Sequence, residues 1–113
     1  MRAFAKTDIG KARDMNQDYY YISKPEDKIS IFILADGMGG YNGGEIASKL
    51  ATMATLGYIQ SNFENIPKER EEILKLIKSA MEYANMVVYE KSKEQKELEG
   101  MGTTLEVCLI YNN

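Results

Sequence analysis

A chain of 113 residues with 44% hydrophobic and 27% charged residues is sized and composed for one globular domain or a piece of a larger one, and it is too apolar for a disordered segment. A net charge of −3 offers no basic face for nucleic acid, and no apolar run reaches the roughly 18 residues of a membrane-spanning helix. The absence of histidine removes His-based triads, Cys–His dyads and the usual zinc sites, leaving carboxylates, arginine, hydroxyls or a bound metal ion to carry any chemistry.

The opening "MRAFAKTDIG" has no apolar segment of the signal-peptide kind, so the expected compartment is the cytoplasm. "RAFAKTD" alternates as a short strand and runs into the polar loop "DIGKARDMNQD". "DYYYIS" is extended, "KPEDK" turns, and "ISIFILAD" is apolar on both faces apart from Ser30, the pattern of a central strand covered on both sides. Strand, turn and strand predict a hairpin.

A Gly-rich loop follows, and then a helix that Asn42 can cap, with Glu45 placed to close a capping box. Its predicted apolar face is Ile46, Leu50, Met53, Ala54 and Gly57, ending near Ile59. A second helix is expected with Pro67 in its first turn, Glu69, Glu71 and Glu72 near its positive end, and Lys91, Lys93 and Lys96 toward its negative end. Its stripe is Ile73, Ile77, Ala80, Ala84, Val87 and Val88, and "EGMGTT" ends the helical region at Gly100. "TTLEVCLIY" reads as a further strand, with Cys108 as a small core residue. Nothing later in the sequence would cover its face of Leu105, Val107, Leu109 and Tyr111, so the chain is expected to be a truncated domain.

The chemistry concentrates in "ILADGMGGYNGGE". Asp36 sits where its strand ends, the usual place for functional groups in an open sheet, and Gly37, Gly39 and Gly40 leave the neighbouring backbone bare for an ion or a phosphate. Taken alone, "DGMGG" is equally a plain turn; it lacks the "GK[ST]" of a phosphate-binding loop and the ligand spacing of an EF-hand. If the hairpin forms, Asp18 and Asp36 meet at one rim, with Arg13 beside them as a planar donor fork for phosphate, although Arg13 also reads as a solvated loop arginine.

The blocks "TDIGKARDMNQD" (Thr7 to Asp18), "ILADGMGGYNGGEIAS" (Ile33 to Ser48) and "GMGTTL" (Gly100 to Leu105), in this order, resemble the bacterial form of the PPM family, the type 2C metal-dependent serine/threonine protein phosphatases. The resemblance covers essentially the whole chain. It implies an α+β fold, the N-terminal half of an α-β-β-α sandwich of antiparallel sheets with flanking helices. It also implies hydrolysis of phosphoserine and phosphothreonine in proteins, with two Mn²⁺ or Mg²⁺ ions activating water and Arg13 holding the substrate phosphate. Asp36 would bridge both ions, Gly37 would offer its carbonyl, and Asp18 would join the metal shell mostly through waters.

Gln17 and Met38 stand where the animal enzymes carry Glu and His, and both follow the bacterial pattern. Met38 cannot donate a proton, so the resemblance implies that protonation of the leaving group would fall to a metal-bound water.

The family's catalytic domain is about twice as long, and its later metal-binding aspartates have no counterpart in residues 1–113. Glu69, Glu71, Glu72 and Glu82 read instead as solvated helix surface, with Glu71 and Lys75 spaced for an ion pair. The expectation is thus the N-terminal portion of a phosphatase whose substrates are those of a bacterial serine/threonine kinase. The alternative is a non-catalytic fragment that self-associates through its open sheet. A nucleotide-binding module is a third reading, and it lacks the lysine or the acidic ribose partner it would need.

Overall fold

A computed structural model describes residues 18–24, 29–39 and 43–111. Arg13, Gln17 and Asn42, the first predicted strand and the predicted capping residue of the first helix lie outside the described residues. The order is β1 (Asp18–Ile22), β2 (Ile29–Met38), α1 (Gly43–Asn62), a 3-10 turn (Phe63–Asn65), α2 (Arg70–Glu94), a second 3-10 turn (Lys96–Leu98), β3 (Gly102–Thr103) and β4 (Glu106–Tyr111).

The expected hairpin is present: β1 runs antiparallel to β2 from Asp18 opposite Asp36 to Ile22 opposite Phe32. The other edge of β2 pairs antiparallel with β4, from Ile29 opposite Tyr111 to Leu34 opposite Glu106, and with β3, where Gly37 faces Thr103. β3 and β4 keep one register and act as a single strand interrupted at Thr104 and Leu105. β2 is therefore central in the sheet and runs to Met38, two residues past the predicted end. The extension depends on a partner more than sixty residues away in sequence, which local patterning does not register.

Alternation along β2 sends Ile31, Ile33 and Ala35 into the core at 2% exposure or less and leaves Leu34 at 43%. The two helices lie on the Ile31 and Ile33 face, where Leu56, Ile59, Phe63, Leu76 and Ala80 complete the main cluster. No described element covers the opposite face.

Two expectations change here. Leu105, Val107, Leu109 and Tyr111 are not the uncovered face, because they pack against this helix-side cluster. Cys108 is not in the core: it pairs with Phe32 on the open side and is exposed. The strand is apolar on both faces, so its pattern does not reveal which face turns inward.

α1 buries Ala47, Ser48, Ala51, Thr52, Thr55, Leu56 and Ile59. The Ser48, Thr52 and Thr55 hydroxyls donate to the carbonyls of Glu45, Ser48 and Ala51 at 3.1, 2.8 and 2.7 Å, so three polar side chains enter the core already satisfied. The predicted face is therefore rotated. Ile46, Leu50 and Ala54 pack only partly, while Met53 is exposed and so is Gly57.

α2 meets α1 through Ala80 and Ala84, both fully buried, with Leu76 and Val88 alongside. Of the predicted stripe, Ala80, Ala84 and Val88 are buried and Ile73 packs against the main cluster, while Leu76, outside that stripe, is buried as well. Pro67 lies before the helix, and the next residue, Lys68, donates to the Phe63 and Ile66 carbonyls while resting 4.7 Å from the Phe63 ring centre. Lys75 reaches Glu72, at 3.6 Å. No described helix is long and apolar enough to cross a membrane.

Candidate functional site

Asp18 opens β1 directly opposite Asp36 on β2, so the hairpin brings the two predicted carboxylates together at one rim. The kind of pairing matters. Thr104 N–H donates to the Asp36 carbonyl at 2.9 Å, and Asp36 N–H donates to the Thr104 hydroxyl at 3.1 Å. Both main-chain groups of Asp36 thus point away from β1, which makes Asp18 and Asp36 a non-hydrogen-bonded pair, the type in which facing side chains come closest. By the same alternation the carbonyl of Gly37 turns to the β1 side, toward the rim that Asp18 occupies.

Both aspartates are half-buried and Gly37 is buried, while Met38 is 55% exposed on the open face. Asp18 Oδ1 is shielded from solvent. Beyond Met38 the chain turns at Gly39, with φ +152°, a conformation L side chains rarely adopt. A Cβ there would stand 3.1 Å from the Gly44 nitrogen and 3.2 Å from Met101 Cα. Gly39 is therefore pressed between the first turn of α1 and the buried Met101. Gly39→Ala is expected to cost about 1–3 kcal/mol, read as a lower urea midpoint; an unchanged midpoint would mean that the loop relaxes freely.

Arg13, the proposed phosphate ligand, lies outside the described residues. The sequence pattern does not single out Thr104. Its "GTT" context marked a strand start, and nothing local signals a hydroxyl that bonds a residue on another strand. A cavity of about 850 Å³ lies between the C-terminal half of α2 and residues 95–105; Met101, Gly102 and Thr103 contribute to its wall, and neither aspartate lines it. The chemistry-bearing residues sit instead at the sheet rim.

The donor set at the rim is all oxygen: two carboxylates and a main-chain carbonyl. That suits a hard divalent cation such as Mn²⁺ or Mg²⁺ in kind. In number it is a partial set, since no group of three or more His, Cys, Asp or Glu side chains placed for a metal occurs among the described residues.

Residues 10–112 match the model of the protein phosphatase 2C family. The protein phosphatase PhpP of Streptococcus pneumoniae is 34% identical over 110 residues, covering 95% of this chain and 42% of its own length. The crystal structure of the Mycobacterium tuberculosis serine/threonine phosphatase PstP/Ppp superposes with a TM-score of 0.73 at 30% identity, over 96% of this chain and 41% of that one. A structure of the PstP catalytic domain in complex with two manganese ions gives a TM-score of 0.73 at 31% identity, over 96% and 42%.

The chain spans less than half the length of these proteins. With the antiparallel sheet, the paired rim aspartates and a match that runs nearly end to end, the chain belongs to the protein phosphatase 2C family.

Proposed function

We propose that the protein hydrolyses phosphoserine and phosphothreonine in other proteins, with Mn²⁺ or Mg²⁺ held at the Asp18–Asp36 rim. The observation that carries this reading is the register that sets Asp18 against Asp36 beside the Gly37 backbone. In this reading Asp36 would hold cation charge at the strand end, Gly37 would add its carbonyl, and Asp18 would join the metal shell mostly through waters. When bound, divalent cations lower the pKa of water and offset charge on a phosphoryl group. Residues 1–113 would form the N-terminal portion of the phosphatase domain, acting in the cytoplasm on substrates of a bacterial serine/threonine kinase.

Arg13 is assigned to the substrate phosphate, and this has a consequence separable from metal binding. Arg13→Ala in the full-length protein should lower kcat/KM for a phosphothreonine peptide and leave Mn²⁺ affinity within about two-fold. Arg13→Lys should recover only part of the loss, because a point charge lacks the bidentate fork. Calorimetry showing that Arg13→Ala loses Mn²⁺ would reassign it to the metal.

A second reading, self-association of residues 1–113, is favoured by the open sheet face, where Tyr20 and Leu34 are 39% and 43% exposed. Light scattering of the 113-residue chain tests it; a monodisperse monomer at tens of micromolar would end it.

A further inference from the structure

The bond between Asp36 and Thr104 is not an ordinary ladder bond. A regular hydrogen-bonded antiparallel pair exchanges two main-chain bonds. Here only one is made: Thr104 N–H donates to the Asp36 carbonyl at 2.9 Å. The second is replaced by the Thr104 side chain, whose hydroxyl accepts Asp36 N–H at 3.1 Å. The carbonyl of Thr104, displaced from the ladder, accepts instead from the Thr103 hydroxyl at 2.7 Å. This exchange lies at the break between β3 and β4, so the interruption of the strand is centred on the residue that grips Asp36.

We infer that Thr104 is a positioning residue for the metal rim: its side chain fixes the main chain of Asp36 and so the direction of the Asp36 carboxylate and of the following Gly37 carbonyl. The inference rests on the metal reading of the rim. Three features support it. The grip is two-pronged, restraining both the N–H and the carbonyl of Asp36. It comes from the strand on the far side of β2 from Asp18, so the Thr104 side chain itself does not occupy the rim. Met101, three residues earlier, stands against Gly39 and Gly43, so one short segment contacts Asp36, Gly39 and Gly43.

The molecule contains its own control. Ser23 bonds Ile31 in the same way, with Ser23 N–H donating to the Ile31 carbonyl at 3.0 Å and the Ser23 hydroxyl accepting Ile31 N–H at 2.9 Å. That bond lies toward the opposite end of the hairpin from Asp18 and Asp36. If a hydroxyl in the ladder serves stability alone, removing either one should have the same consequences. If Thr104 positions the rim, only its removal should change cation binding.

The experiment compares Thr104→Val, Thr104→Ala, Thr104→Ser and Ser23→Ala in the full-length protein, with Asp36→Asn as reference. Mn²⁺ is titrated by calorimetry, and amide hydrogen exchange is followed without metal. Thr104→Val and Thr104→Ala should each weaken Mn²⁺ binding about 10-fold or more, the usual consequence of losing a group that orients a metal ligand. Both should speed exchange at the Asp36 amide. Thr104→Ser should remain within about two-fold of the parent, and Ser23→Ala should speed exchange at Ile31 with Mn²⁺ affinity unchanged.

Parent-like Mn²⁺ affinity in whichever of Thr104→Val and Thr104→Ala folds, with Asp36→Asn having lost it, overturns this inference alone. If neither folds, Thr104→Ser decides: a ten-fold loss there, with the hydroxyl retained, overturns it. Retention of Mn²⁺ by Asp36→Asn overturns the metal reading and this inference with it.

Discussion

Asp36→Asn in the full-length protein is expected to reduce Mn²⁺-dependent phosphate release from a phosphothreonine peptide by more than about 100-fold. Asparagine keeps the size and one oxygen of the side chain and removes its charge. The main-chain bonds to Thr104 do not involve the carboxylate, so the strand register should survive. The loss should therefore appear in turnover and metal affinity, with the thermal midpoint close to the parent's. Activity within a few-fold of the parent would remove Asp36 from the site.

The second large effect concerns the sheet. Ile33 is 2% exposed and packs in the main helix-side cluster, whereas its neighbour Leu34 is 43% exposed on the open face. In the 113-residue chain Ile33→Ala should cost about 2–5 kcal/mol through lost burial and an unfilled cavity. That is a large fraction of the roughly 5–15 kcal/mol that holds a typical domain together. Leu34→Ala should cost under about 1 kcal/mol, as exposed positions usually do. Urea denaturation of the two variants reads the contrast directly. Equal losses would mean that something covers both faces of β2 in solution.

The hairpin and its rim were legible from the sequence because they depend on local signals. Apolar runs on both sides of the "KPEDK" turn fix the antiparallel pairing, and the pairing alone brings Asp18 to Asp36. The faces of the later elements were less legible. On α1, Ser48, Thr52 and Thr55 bond their own helix, so residues that look like solvent face are buried, and Met53 is left outside. On β4 both faces are apolar, so the pattern marks a strand without showing that Cys108 lies on the open side. The role of Thr104 depends on a contact 68 residues away in sequence, and no pattern of spacing announces it.

The proposed function requires that Asp18 and Asp36 act together in holding a divalent cation. Calorimetric titration of Mn²⁺ into the full-length protein and into the Asp18→Asn/Asp36→Asn double variant tests it most directly. The parent should bind Mn²⁺ with a saturable isotherm, and the double variant should show at least about a 100-fold loss of affinity while keeping its fold. Equal Mn²⁺ affinity in the two proteins would contradict the claim.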